Sequence, residues 1–263
     1  MSKKSPKLDV ADIADVPLRE VSGLAIQGSR LLAVGDRDPV VFAAELGPWP
    51  LQWHGIDLAA LDLPEGGSQF EAIESTGEHT VLVLQEQPAR VLHLELNGPS
   101  VIGMSELVVP EGHPLREAWL GDRSSRGESL LALPDGRLLV IKEKDPPAIL
   151  EFGPIGEPSL EVVRTWWLGE DTVAALPDIS DVTRGPDGRL YVLSDQGSAI
   201  GRLPATLPAD TDSVDVEAVW RIAGKPAKAE GLVILADGTP LVALDTKSPR
   251  KNLLRLEPLP PAG

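Results

Sequence analysis

Apolar runs and turn residues alternate along this chain in one order that recurs five times. Glu230 to Leu256, EGLVILADGTPLVALDTKSPRKNLLRL, holds an acid, a short apolar run, the turn pair Asp237-Gly238, a second apolar run ending in Asp245, a polar loop and a third apolar run. That order predicts three antiparallel strands. The same order runs through Ser22 to Leu46, Glu71 to Leu96, Glu128 to Phe152 and Ser180 to Leu203. The repeats start at 22, 71, 128, 180 and 230, spacings of 49, 57, 52 and 50 residues, a period that belongs to propellers and solenoids.

A fourth strand is expected after each repeat: His54 to Leu63, Val101 to Val109, Leu160 to Leu168 and Val214 to Ile222. After the fifth repeat only the proline-rich Glu257 to Gly263 remains, too short for one. Leu8 to Leu18, LDVADIADVPL, resembles the segment after the first repeat and is expected to supply the missing outer strand. The reading is therefore an all-β, five-bladed β-propeller of four-stranded antiparallel blades. Its ring is closed by an N-terminal strand that completes the last blade, which removes exposed edges. Residues 1–263 form one domain in this reading, with 1–7 a disordered tail.

Hairpin register gives the repeat chemical meaning. If each Asp-Gly pair is a two-residue turn, Glu230 faces Asp245, Glu128 faces Glu143 and Ser180 faces Asp195, while Glu71 and Glu86 keep the same spacing. Ser22 and Asp36 are one residue closer in sequence. On the usual propeller plan these ten residues ring one mouth of the central channel, and only Ser22 and Ser180 among them are not acids.

Composition narrows the partners. A formal net charge of -16 argues against nucleic acid, whose binding needs clustered positive charge. The absence of cysteine excludes disulfides and thiolate metal sites. The N-terminus lacks the apolar core of a signal peptide and no apolar run is long enough to span a bilayer, so a cytoplasmic location without membrane contact is expected. His54, His79, His93 and His113 show no ligand spacing, and Trp53, Trp166, Trp167 and Trp220 fall in fourth-strand segments where they serve packing.

Crowded carboxylates either hold protons or hold a cation. Glu71, Glu128, Glu230, Asp195, Asp245, Glu86, Glu143 and Asp36 are accordingly the candidate ligands of a hard divalent ion, calcium before magnesium. Loops of the same face carry Arg37, Arg90, Arg116, Arg123, Arg126, Lys142, Lys144, Lys225, Lys228, Lys247, Arg250 and Lys251, half of the 24 basic residues. Of these, Lys144, Arg126, Lys228, Lys247 and Arg37 are the candidate contacts for an anionic small molecule such as a phosphate ester.

The runs GESLLALPDGRLLVIKEKDPPAILEF and DISDVTRGPDGRLYVLSDQGSAIGRL, with VSGLA before and AEGLVILADG after, resemble the SdiA-regulated family of bacterial propellers. More distantly they resemble phytase-like esterase and calcium-dependent lactonase and phosphotriesterase propellers. The resemblance implies a propeller with an axial calcium site. In the lactonase relatives a catalytic metal is held by inner-strand acids and Asn, and Glu71, Glu128 and Glu230 occupy similar first-strand places, although this chain has no Asn there. Two functions fit. One is a metal-dependent hydrolase of phosphate esters, esters or lactones with Glu128 or Glu230 as general base. The other is a non-catalytic propeller with a structural metal that binds an anionic small molecule or a protein partner.

Overall fold

Each repeat folds as an antiparallel meander, and the apolar pattern explains which strand lies where. The computed structural model describes residues 5–63, 69–121, 126–226 and 228–260. Strands β1 (Lys7–Leu8) and β2 (Val10–Ala14) precede the first repeat, which forms β3 (Val21–Gln27), β4 (Arg30–Gly35), β5 (Val40–Glu45) and β6 (Trp53–Asp57). The second forms β7 (Phe70–Ser75), β8 (Thr80–Gln85), β9 (Arg90–Glu95) and β10 (Ser100–Val108), and helix α1 (Arg116–Gly121) follows. The third forms β11 (Ser129–Ala132), β12 (Leu138–Lys142), β13 (Ala148–Phe152) and β14 (Ser159–Leu168), followed by α2 (Glu170–Ala175). The fourth comprises β15 (Asp181–Arg184), β16 (Leu190–Ser194), β17 (Ala199–Arg202), β18 (Ser213–Val214) and β19 (Ala218–Ile222). The last has β20 (Ala229–Ile234), β21 (Pro240–Leu244) and β22 (Leu253–Leu256).

Second strands such as LLVIK, LYVLS and PLVAL are apolar along almost their whole length, and every residue in them is buried. A strand covered on both faces reads this way. The outer strands β6 and β10 mix half-buried or buried positions with many exposed ones, because only one face is covered. Five apolar clusters each join two consecutive repeats. One of them unites Val233, Leu241, Ala243 and Leu253 of the last repeat with Leu24, Leu31 and Ala33 of the first. The first strands touch in a cycle: β3 meets β7, β7 meets β11, β11 meets β15, β15 meets β20 and β20 meets β3. The result is an all-β molecule whose sheets close nearly into a barrel.

The N-terminal segment does pair with the last repeat. Strand β2 runs antiparallel to β22, from Val10 opposite Leu256 to Ala14 opposite Leu253. Asn252, fully buried, fastens this junction: its side chain accepts from Val16 N–H at 2.7 Å and donates to the carbonyls of Val16 and Leu18 at 3.1 and 2.8 Å. Two details differ from the sequence reading. Lys7, placed there in a tail, pairs with Leu8 in parallel against Arg221 and Ile222 of β19, while residues 1–4 lie outside the described residues. Val214 does not belong to its own repeat's outer strand: β18 pairs with β14 of the preceding repeat.

The expected hairpin register is also corrected. Asp135, Asp187 and Asp237 are the centres of three-residue loops, not halves of two-residue turns. Leu235 N–H reaches Thr239 O at 2.8 Å and Gly238 N–H reaches Leu235 O at 2.9 Å, and the loops at Gly136 and Gly188 repeat this pattern. These glycines have φ of 83°, 77° and 84°, the left-handed conformation that ends such a loop. The ladder is thereby moved by one residue, so Leu232 faces Val242 and Ser129 faces Ile141.

Candidate functional site

The acids are not direct cross-strand partners, yet they still converge. The first strands of the first, second and last repeats carry a register shift that skips Ser22, Glu71 and Glu230. Glu128 and Ser180 stand just before the first paired residue of their strands, and their N–H groups reach Ile141 O and Leu193 O. A bulge turns its extra side chain away from the pleat and toward whatever lies beside the sheet. Here that is a cavity of about 220 Å³ lined by Glu20, Ser22, Asp36, Glu71, Glu86, Glu128, Glu143, Glu230 and Asp245.

Seven of the eight acids expected at this mouth therefore line one space. The eighth, Asp195, is turned to a backbone role and accepts from Ala229 N–H at 3.1 Å, although its charge still acts on Glu230. Ser180 donates to Ala229 O at 2.6 Å, and Ser22 makes the equivalent bond to Phe70 O. Glu20, which sequence reasoning missed because it precedes the repeat, belongs to the same lining.

Electrostatics follow from crowding. Glu71 and Glu128 accept no hydrogen bond from any described residue. Each keeps surface toward the channel but is walled by protein elsewhere. Burial first, and then the neighbouring carboxylates, push both pKa values well above the ordinary range. Glu230 is pushed up to about 8 by burial and by Asp195, Glu143 and Asp245, with Lys228 opposing. Asp36 rises through burial and the charges of Glu20 and Asp245.

The basic groups divide by what they touch. Lys144 pairs with Glu143, Lys228 with Asp245 and Arg37 with Glu20, so three of the five candidate anion contacts are engaged with the acids of the mouth. Lys247 is exposed and acts on Glu20 only through space. Arg126 turns to the carbonyls of Trp119 and Leu120, and Lys142 is fully buried with its Nζ on the Lys144 carbonyl. Arg90 lies buried in β9, and Arg123 is outside the described residues.

Deeper among the first strands sits a second acidic group without a sequence signature. Asp181 of β15 accepts from the Ser129 hydroxyl of β11, from Leu232 N–H of β20 at 2.5 Å and from Val182 N–H at 2.8 Å. One carboxyl thus ties three first strands together. Burial outweighs these donors and pushes its pKa to about 8, with the charge of Glu74 adding to the rise. Glu74 itself is pushed to about 7 by burial, against backbone hydrogen bonds from Ala132 and Ser75 and the charge of Arg184.

The mouth offers hard oxygen donors and no sulfur or imidazole, which suits calcium better than zinc. Glu71, Glu128 and Glu230, which accept no side-chain hydrogen bond among the described residues, are also what a cation would satisfy. Among the described residues no three side chains stand as a ready-made ligand set, so occupancy would draw the long glutamate arms inward. No described helix is long and apolar enough to cross a membrane.

No family model matches the chain and no curated protein matches it, so the likeness to the SdiA-regulated family rests on the sequence motifs alone. Similar solved structures include glutaminyl cyclase from Myxococcus xanthus, 11% identical over 97% of this chain and 98% of that one, with a TM-score of 0.58. The PQQ-bound aldose sugar dehydrogenase from Streptomyces coelicolor is 13% identical over 95% and 98%, with a TM-score of 0.55. Identities this low bear on fold and not on activity. The chain is an all-β protein of β-propeller type.

Proposed function

We propose that the chain is a single five-bladed propeller, closed by β2, that binds a hard divalent cation, calcium, in the acidic mouth of its axis. The observation that carries this reading is that Glu71, Glu128 and Glu230 face one cavity with no hydrogen-bond donor to them among the described residues and with raised pKa values. Glu86, Glu143, Asp36 and Asp245 would complete the oxygen set, and Asp195 would act through its field alone.

A cation bound there would polarise a phosphoryl, ester or lactone oxygen and acidify water beside it. Glu128 or Glu230 would then serve as general base, a role open to Glu230 at neutral pH only once positive charge brings its pKa down from about 8. Phosphate esters, esters and lactones are the substrate classes of this hydrolase reading. The second reading is a non-catalytic propeller whose cation is structural and whose mouth takes an anionic ligand or a protein partner. It is favoured by the pairing of Lys144, Lys228 and Arg37 with mouth acids, which leaves less cationic charge for a substrate.

Thermal unfolding with calcium against chelator tests the site. Saturation at about 100 times Kd stabilises a fold by ~2.7 kcal/mol, or roughly 5–10 °C for a chain of this size. Glu128→Gln combined with Glu230→Gln should abolish the shift, and an unchanged shift would remove the metal assignment. Calcium-dependent turnover across phosphate esters, aryl esters and lactones separates the two readings. A calcium shift without turnover would leave the structural cation.

A further inference from the structure

A second cavity, of about 510 Å³, lies between the third and fourth repeats at the hairpin-turn end, remote from the acidic mouth. Its roof is the connection of residues 203–212 between β17 and β18, longer than the usual few residues between strands. This loop leaves its own repeat and is held on β14 of the preceding one. Trp166 Nε1 donates to Pro208 O at 2.9 Å, Arg164 to Thr211 O at 3.1 Å, and Trp167 N–H to Asp212 O at 2.7 Å. The space beneath the arch has a mixed lining, in which Leu133, Val163 and Leu207 keep exposed apolar surface while Leu139, Trp166 and Leu190 are buried.

Charge in this space runs against the rest of the molecule. Three arginines, Arg137, Arg164 and Arg184, face two carboxylates, Asp135 and Glu151, in a chain of net charge -16. Arg137 binds both carboxylates. Arg164 lies over the Trp166 ring, 4.7 Å from its centroid, and among the described residues donates to Thr211 O alone, while Arg184 donates there to Gly188 O alone, at 3.0 Å, and acts on Glu74 through its charge. Two guanidinium groups therefore retain unused donors beside an apolar wall, and the volume is that of a small-molecule site.

We propose that this cavity binds a small amphipathic carboxylate, its apolar body against Leu133, Val163 and Leu207 and its carboxylate on Arg164 and Arg184. Bidentate guanidinium contacts favour a carboxylate head, and the apolar wall rejects a fully polar anion. The site is independent of the acidic mouth.

Calorimetric titration of the full chain in chelator, which keeps the axial mouth free of metal, tests this with octanoate, acetate and 1-octanol. Octanoate should bind one to one and saturably, with acetate and 1-octanol at least about tenfold weaker. Arg184→Gln leaves the loop's anchors intact and should weaken octanoate at least about tenfold in a chain that still unfolds cooperatively, and Arg164→Gln, which also removes the loop's bond to Thr211 O, should weaken it as well. Absence of saturable octanoate binding, equal binding of 1-octanol, or full affinity in Arg184→Gln would each overturn the proposal.

Discussion

Replacing Asp181 by asparagine isolates one buried proton. The folded chain holds the Asp181 proton up to a pKa of about 8, whereas an unfolded chain releases it near ~3.9. Between those values the native state binds the proton and the unfolded state does not, so stability falls as pH rises, by about 1.4 kcal/mol per pH unit for this group. Below ~4 both states are protonated and above about 8 neither is, so the dependence vanishes outside the window. For a chain of this size that slope corresponds to roughly 3–6 °C of melting temperature per pH unit. Asparagine keeps the shape and cannot ionise, although its amide meets one of the donors now shared by Ser129, Val182 and Leu232. Melting of both proteins from pH 5 to 8 in chelator reads the effect directly. The advantage of the native chain over Asp181→Asn should shrink steadily across that range. A difference constant to within about 1 °C would mean that Asp181 is ionised throughout and that the three donors dominate burial.

The other expectations concern the mouth, the closing strand and the core. Glu71→Gln removes a buried, crowded carboxylate, so it should raise the melting temperature of the metal-free chain at pH 8 and diminish its response to calcium; lower stability in chelator would contradict the cost of burying Glu71 beside other acids. Asn252→Ala leaves the Val16 N–H and the Val16 and Leu18 carbonyls without their partner and should cost about 2–4 kcal/mol in urea unfolding, where a loss below about 0.5 would deny it a fastening role. Leu82→Ala, at a fully buried position facing the cluster between the second and third repeats, should cost about 2–5 kcal/mol by the same measurement, and a near-neutral result would mean that this junction is loosely packed.

The meanders were legible because apolar runs and Asp-Gly turns recur at similar spacing, and the gathering of acids because Glu71, Glu128 and Glu230 hold the same place in their repeats. Register was not legible. An Asp-Gly pair fits both a two-residue turn and a three-residue loop ending in left-handed glycine, and the structure adopts the second at Asp135, Asp187 and Asp237. The bulges at Ser22, Glu71 and Glu230 leave no mark on alternation, yet they bring the side chains to the channel. Asp181 and Asn252 escaped notice because each occurs in only one repeat, and a periodic pattern reveals what recurs. The spread of basic residues misled for a related reason: proximity in loops does not say that Arg126 turns to carbonyls or that Lys142 is buried.

The pairing of Val10–Ala14 with Leu253–Leu256 joins segments at opposite ends of the sequence. During synthesis the earlier of the two emerges long before its neighbour exists, and the middle meanders can form while both flanks stay unsatisfied. Completion is thus deferred until translation has passed Leu256, and the contact with the largest separation along the chain cannot form before then. An isolated fragment lacking either flank would present a bare strand edge, the surface that proteins in general keep covered to avoid sticking to one another.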